Sequence, residues 1–295
     1  MSNLQTKYKI LTWNVLENSH YEQRIPLIAQ FIRQSGADIV LLQETNDQFA
    51  ELAVTEFTKN GYTLKLRPGS PTRSNISGVG IAYDHQKFQE LAPTLKLSTN
   101  FRAMALDLLP IGKSTKRRPA KYISKTIPHP DTPLDYGSDI LTVISYHGHW
   151  GTFAQPERLN QVILLDQFAK EKGNAIILGG DFNALPDEPA IQYLLGNLIQ
   201  DRQSTYWVES QDLIEQLGGP RPYGTSFAHG QLVDQNLRFD LHRTPERRID
   251  YLFNFGFSYG REYAFDGWSH MLDIDKARQL SDHAPLIAGI LDTSI

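Results

Sequence analysis

Polar and charged residues sit at the ends of apolar runs throughout this chain. Asn14 belongs to the end of YKILTWNV and Glu44 closes DIVLLQ. His147 ends ILTVISYH, while Asp181 and Asn183 follow NAIILGG. Asp250 lies within RIDYLF, and Asp282 and His283 directly precede PLIAGIL. A carboxylate beside a hydrophobic strand is held by rigid structure and partly desolvated, which suits a reactive site. The residue types then restrict the chemistry. Asn14, Glu44 and Asp282 offer hard oxygen ligands, which suit magnesium, manganese or calcium. The chain has no HExxH pair and no cysteine, which argues against protease-type or thiolate zinc. It also lacks a GxSxG elbow and a GxxxxGK[ST] loop. Carboxylates, amides and histidines around a hard cation suit hydrolysis of a phosphate ester. A carboxylate would orient and deprotonate water. Neutral amide and imidazole donors would hold the charge that develops on the phosphoryl group.

The elements that must position these groups are legible as short apolar runs. Tyr8–Val15, Asp38–Gln43, Gly78–Tyr83 and Met104–Leu109 read as strands in the first half. Ile140–His147, Asn174–Gly179, Arg248–Phe253 and Pro285–Leu291 read as strands in the second. Arg24–Gln34 has apolar residues at 25, 28, 31 and 32, a helical spacing, and Gly36 follows as a stop signal. Pro156–Lys172 is a second amphipathic pattern, opening on proline. Strands dominate and several are followed by helices, so the expectation is sheet packed on sheet with helices outside. No internal repeat or long low-complexity linker interrupts the 295 residues, which are expected to form one domain. The stretch at about 109–139 is poor in apolar pattern and rich in Lys, Arg and Pro. It reads as a basic surface insertion carrying Lys113, Lys116, Arg117, Arg118, Lys121 and Lys125 with no acid among them.

Composition narrows the setting. Hydrophobic residues make up 40% and charged residues 21%, ordinary for a globular protein. No run is apolar for long enough to span a membrane, so no integral membrane contact is expected. The first nine residues are polar, without the apolar core of a secretory signal, and a cytoplasmic location is expected. The net charge of -4 argues against gripping long nucleic acid over the whole surface. It leaves a local contact with DNA or RNA open.

Taken in order, TWNV at 12–15, LLQET at 41–45, His147, GGDFN at 179–183, RIDYLF at 248–253 and SDH at 281–283 resemble the endonuclease/exonuclease/phosphatase superfamily. The resemblance runs from about Tyr8 to Leu291. It implies a four-layer α/β-sandwich, with two mainly antiparallel β-sheets packed face to face and helices outside. It also implies a phosphate-ester substrate and a divalent cation, Mg2+ or Mn2+, bound by Glu44 with Asn14 beside it and Asp282 on the metal side. Asp181 would handle the attacking water and Asn183 would contact the phosphate. His283 would contact the scissile phosphate, oriented by Asp250. His147 matches a strand-end histidine that binds phosphate in many members. Whether Asp181 or metal-bound water makes the nucleophile stays open at this point.

Substrate is the least determined property. PERLNQ at 156–161 and GGPRPYGTSF at 218–227 resemble the tyrosyl-DNA phosphodiesterase branch. GDFNALPDEPA at 180–190 is similar to many members, including the deadenylase-like branch. A nuclease or other phosphodiesterase leads. A sphingomyelinase-like or inositol-phosphatase-like enzyme is the alternative, and a non-catalytic binding module is third. Trp150, Tyr223, Phe227 and Trp268 are candidates for a stacking wall. Arg102 is a candidate for reaching the phosphate. His149, two residues from His147, shares its face in an extended segment.

Overall fold

Alternation along the strands sorts the apolar residues into three layers. In β1 (Tyr8–Asn14), Ile10 enters a core between two sheets, while Leu11 and Trp13 face helices. In β2 (Ile39–Thr45), Ile39 and Leu41 face inward and Val40 and Leu42 outward. In β9 (Ala175–Asp181), Ile177 joins the inter-sheet core, while Ile176 and Leu178 pack on the other side. Strands buried on both faces read as continuous apolar runs, which is why these segments showed no polar alternation.

The computed structural model describes residues 6–16, 20–67, 78–91, 95–96, 102–113, 139–172, 174–200, 202, 204–218, 226, 247–255, 263–271, 277 and 280–292. Most of the basic stretch at 109–139 lies outside the described residues, as do Tyr223 and Phe227. Of Trp268 only the backbone is described.

One sheet adds β3 (Tyr62–Arg67), β4 (Gly78–Asp84), β12 (Tyr263–Met271) and β13 (Leu286–Asp292), in the order β12-β13-β1-β2-β4-β3. The other contains β5 (Phe88–Glu90), β7 (Arg102–Pro110), β8 (Leu141–His147), β9, β10 (Trp207–Glu209) and β11 (Asp250–Phe255). Its order is β10-β11-β9-β8-β7-β5, and the short β6 (Leu95–Lys96) also pairs with β7. The parallel pairs are β1 with β2 and β8 with β9; the other pairings are antiparallel. Each parallel pair is joined by a crossover helix, α1 (Tyr21–Ser35) in one sheet and α3 (Gln155–Lys172) in the other. With α2 (Asp47–Lys59) beside α1 and α4 (Pro189–Leu194) beside α3, the layers run helix, sheet, sheet, helix. This is the α/β-sandwich expected from the sequence. A short α5 (Ser210–Gln216) packs on β11 and β12.

Helix α1 stops at Gly36, whose φ of 70° places it in the left-handed region that glycine tolerates. Helix α2 escaped the sequence reading. Its buried residues Phe49, Ala53 and Phe57 recur every four positions, and Asn46 caps it by accepting from the Phe49 N–H at 2.8 Å.

Candidate active site

At one end of the inter-sheet core the side chains change from apolar to polar. Thr12, Gln43 and Ser145 continue the inward faces of β1, β2 and β8. Gln43 donates to Thr12 Oγ1 at 3.2 Å and to Ser145 Oγ at 3.1 Å, closing this layer between the sheets. Beyond it lie the carboxyl ends of both parallel strand pairs, the end at which α/β sheets bind ligands.

Strand register builds the first row of the site. Arg102 pairs with His147, His147 with Asp181, and Asp181 with Asp250, across four adjacent strands. Gly180 permits this spacing. A Cβ there would meet the Tyr146 carbonyl oxygen at 1.7 Å, so a side chain on Gly180 would prise β8 from β9. Gly148 faces the same constraint, with the Phe182 carbonyl oxygen 2.1 Å from any added Cβ.

Asn14 and Glu44 come from the facing sheet. Inward alternation would send Glu44 toward the helices, since Gln43 points inward. A register irregularity between Gln43 and Thr45 and a φ of 61° at Glu44 turn its carboxylate into the site. Asn183, with a φ of 50°, is likewise held in the left-handed region. Such strain gathers where function requires a set direction. Asn14 Nδ2 donates to Glu44 Oε1 at 3.0 Å and to Asp181 Oδ2 at 2.9 Å. Its carboxamide oxygen accepts from the Leu16 N–H at 3.0 Å. Asn14 thus meets both carboxylates through its Nδ2, as a donor that steers them.

The SDH segment is clamped to the end of β1. Ser281 Oγ donates to the Asn14 carbonyl at 2.6 Å and accepts from the His283 N–H at 3.2 Å. Trp13 Nε1 donates to the His283 carbonyl at 2.9 Å. Arg24, 1% exposed, donates to the carbonyls of Leu280, Leu16 and Val15, tying the flanking loops together. Nothing in the local sequence of α1 marked Arg24 for this; only its burial reveals it.

Asp181, 2% exposed, is the centre of the arrangement. Its Oδ2 lies 3.7 Å from Nε2 of both His147 and His283, and its Oδ1 accepts from the Asn183 N–H at 2.8 Å. Burial pushes the Asp181 carboxyl up to about 7; the His283 charge opposes this, the Asp250 charge adds to it, and the bonds from Asn14 and Asn183 oppose it. His283 Nδ1 bonds Asp250 Oδ2 at 2.8 Å. Burial alone would favour neutral His283, but the charges of Asp250, Asp282 and Asp181 and the Asp250 hydrogen bond outweigh it and hold the imidazole well above its usual range. His147 moves the other way, lowered well below the usual range by burial and by the nearby charges of Arg102 and His283. Its Nδ1 lies 3.0 Å from Arg102 Nη1, and its Nε2 lies 3.9 Å from Glu44 Oε1.

Two overlapping groups have ligand atoms within 4.8 Å of one another: Glu44, His147 and Asp181, and Asp181, Asp250 and His283. Asp282 sits half-buried at the rim beside His283. Asn183 Nδ2 donates to the Gly148 carbonyl at 3.2 Å. His149 does not join the group; it is exposed, with Nδ1 2.9 Å from the Trp150 carbonyl oxygen. The buried Arg158 of the PERLNQ run holds the loop after β8, donating to the His149 and Gly151 carbonyls at 2.9 and 2.8 Å. It also pairs with Glu188 at 2.5 Å, linking that loop to the one after β9. Trp150, 64% exposed, and Phe153, 97% exposed, project from the loop so fixed.

Comparison with known proteins places this geometry. Residues 11–283 match the Endonuclease/Exonuclease/phosphatase family. No curated protein matches the chain. Among solved structures it is similar to the catalytic domain of human Nocturnin with bound sulfate, at a TM-score of 0.65 and 18% identity over 97% of this chain and 94% of that one. It is similar to D. rerio TDP2 complexed with single strand DNA product, at a TM-score of 0.66 and 16% identity over 97% and 99%. ANGEL2, a 2',3'-cyclic phosphatase, in complex with adenosine-2',3'-vanadate aligns at a TM-score of 0.62 and 14% identity over 97% and 95%. At these identities the structural likeness is one of fold.

Proposed function

The chain belongs to the endonuclease/exonuclease/phosphatase family, and from that premise we propose that it is a Mg2+- or Mn2+-dependent phosphodiesterase acting on a nucleic-acid phosphodiester. The observation that carries the reading is the convergence on Asp181. A buried carboxylate lies within 3.7 Å of two histidines of opposite electrostatic bias, with Glu44 joined to it through Asn14.

The donor set fits a hard divalent cation. Glu44, Asp181, Asp250 and Asp282 concentrate carboxylates in a largely buried end of the fold, and oxygen ligands of this kind suit magnesium or manganese. Glu44 and Asp282 would hold the ion, which when bound supplies Lewis acidity and offsets charge on the phosphoryl oxygens. The remaining chemistry falls to side chains. Asn14 and the Asn183 N–H fix the Asp181 carboxylate, whose raised pKa suits a base that takes a proton from water near neutral pH. Asp250 holds His283 protonated with Nε2–H directed at the reaction centre, a donor for a phosphoryl oxygen. Asn183 stands beside it. The exposed rings of Trp150 and Phe153 on the loop after His147 support a nucleic-acid substrate, since base faces stack on aromatic side chains without regard to sequence.

The test is turnover of bis-p-nitrophenyl phosphate and p-nitrophenyl phosphate with magnesium, manganese or a chelator, beside Glu44→Ala and Asp181→Ala. Metal-dependent cleavage of the diester, absent in both variants, is the expected result, followed by cleavage of a labelled oligonucleotide. Cleavage of the monoester alone would replace the reading with a phosphatase. Cleavage of lipid or small soluble esters but of no oligonucleotide would replace the nucleic-acid substrate with the lipid or small-molecule class.

A further inference from the structure

His147 and His283 flank Asp181 at the same distance, yet their second nitrogens meet opposite partners. His283 Nδ1 faces a carboxylate, Asp250. His147 Nδ1 faces a guanidinium, Arg102, at 3.0 Å. Strand pairing sets this contact, because Arg102 on β7 and His147 on β8 are direct cross-strand partners. An arginine has five N–H donors and no acceptor, and it does not deprotonate in a protein. An Nδ1 that bonds arginine must therefore present its lone pair. A neutral imidazole carries one N–H, so the proton lies on Nε2. That nitrogen points to the space between Asp181 Oδ2 and Glu44 Oε1, 3.7 and 3.9 Å away.

We propose that Arg102 is a positioning residue that locks His147 as its Nε2–H tautomer, so that His147 offers the site a fixed hydrogen-bond donor and is withheld from the metal ligands. By distance alone, Glu44, His147 and Asp181 could form a three-ligand metal group. A metal needs the lone pair of a neutral imidazole nitrogen, and Arg102 has turned that lone pair away. The cation is thereby confined to oxygen ligands, and a soft or borderline ion such as zinc loses the nitrogen it would favour. The assignment of His147 as donor to a phosphoryl oxygen rests on the phosphodiesterase reading; the tautomer does not.

The direct measurement is a long-range 1H–15N correlation spectrum of the full chain with 15N-labelled histidine, in chelator at neutral pH. His147 is assigned by the signals that vanish in His147→Asn. The expected spectrum has a protonated Nε2 and a pyridine-type Nδ1. Arg102→Lys, which still only donates, keeps that pattern and most of the diesterase turnover. Arg102→Glu, which only accepts, moves the proton to Nδ1, lowers kcat about 10²-fold as loss of one transition-state donor does, and binds Zn2+ more tightly by calorimetry with the metal alone. A protonated Nδ1 in the wild-type protein, or an unchanged tautomer in folded Arg102→Glu, overturns the proposal. The expected tautomers in a protein that cleaves no diester would sink the phosphodiesterase reading and leave the lock standing.

Discussion

Replacing Asp181 with asparagine should make the metal-free protein more stable at about pH 8 while sharply lowering its activity. Asp181 is 2% exposed and its carboxyl is raised from 3.8 to about 7, chiefly by burial. The unfolded chain therefore loses this proton near pH 3.8 and the folded chain only near 7. Between those values the unfolded state binds fewer protons, so native stability falls as pH rises, and above 7 the full cost is present. Three units at 1.36 kcal/mol each set a ceiling of about 4 kcal/mol. Asparagine removes that cost but returns part of it. Asp181 accepts from the Asn183 N–H on one oxygen and from Asn14 Nδ2 on the other. One of these donors would face an NH2 group, at about 1–2 kcal/mol. The net gain is about 2–3 kcal/mol at pH 8, shrinking to about zero near pH 5, where only about 1.5 kcal/mol of charge cost has accumulated. Urea melts of both proteins in chelator at the two pH values measure it. A gain of equal size at both, or a variant less stable at pH 8, would refute the electrostatic account. Turnover should fall by about 10²–10⁴, the usual contribution of a general base.

Three further outcomes follow from the geometry. Glu44→Gln should lose the rise in Tm that Mg2+ gives the wild-type protein, measured by thermal melts with and without the ion; an equal rise in the variant would remove Glu44 from the ligand set. Asp250→Asn replaces the carboxylate that keeps His283 protonated. The raised pKa means that this cation persists as pH climbs past the normal histidine range, so the variant's pH–rate profile should lose its upper limb at lower pH than wild type. An unshifted limb would rule out His283 as the titrating donor. Gly180→Ala drives a Cβ to 1.7 Å from the Tyr146 carbonyl and should cost about 3 kcal/mol or more as overpacking against backbone, read as a drop in Tm; a neutral effect would show that β8 and β9 can part without loss.

How much of this was legible beforehand differs by residue. Continuous apolar runs marked both parallel strand pairs, because strands buried on two faces cannot show polar alternation. The donor types of the carboxylates, amides and histidines at their ends suggested a hard cation and a phosphate ester, and motif order carried the family, which the match over residues 11–283 shows. Helix α2 went unread although Phe49, Ala53 and Phe57 carry a helical spacing, because its cap, Asn46, lies directly against a strand end. The orientation of Glu44 was hidden for a different reason. A one-residue irregularity reverses the face that alternation assigns, and such a bulge depends on the pairing of β2 with β4, which follows it in the chain only after α2 and β3. Whether Asn14 shows its oxygen or its nitrogen depended on the Leu16 N–H, and the state of His147 on a partner 45 residues away. Side-chain chemistry is a property of residue type and so belongs to the sequence. Proton positions, ligand direction and the burial that moves Asp181 toward neutral pH are properties of neighbours, and only the folded chain brings those neighbours together.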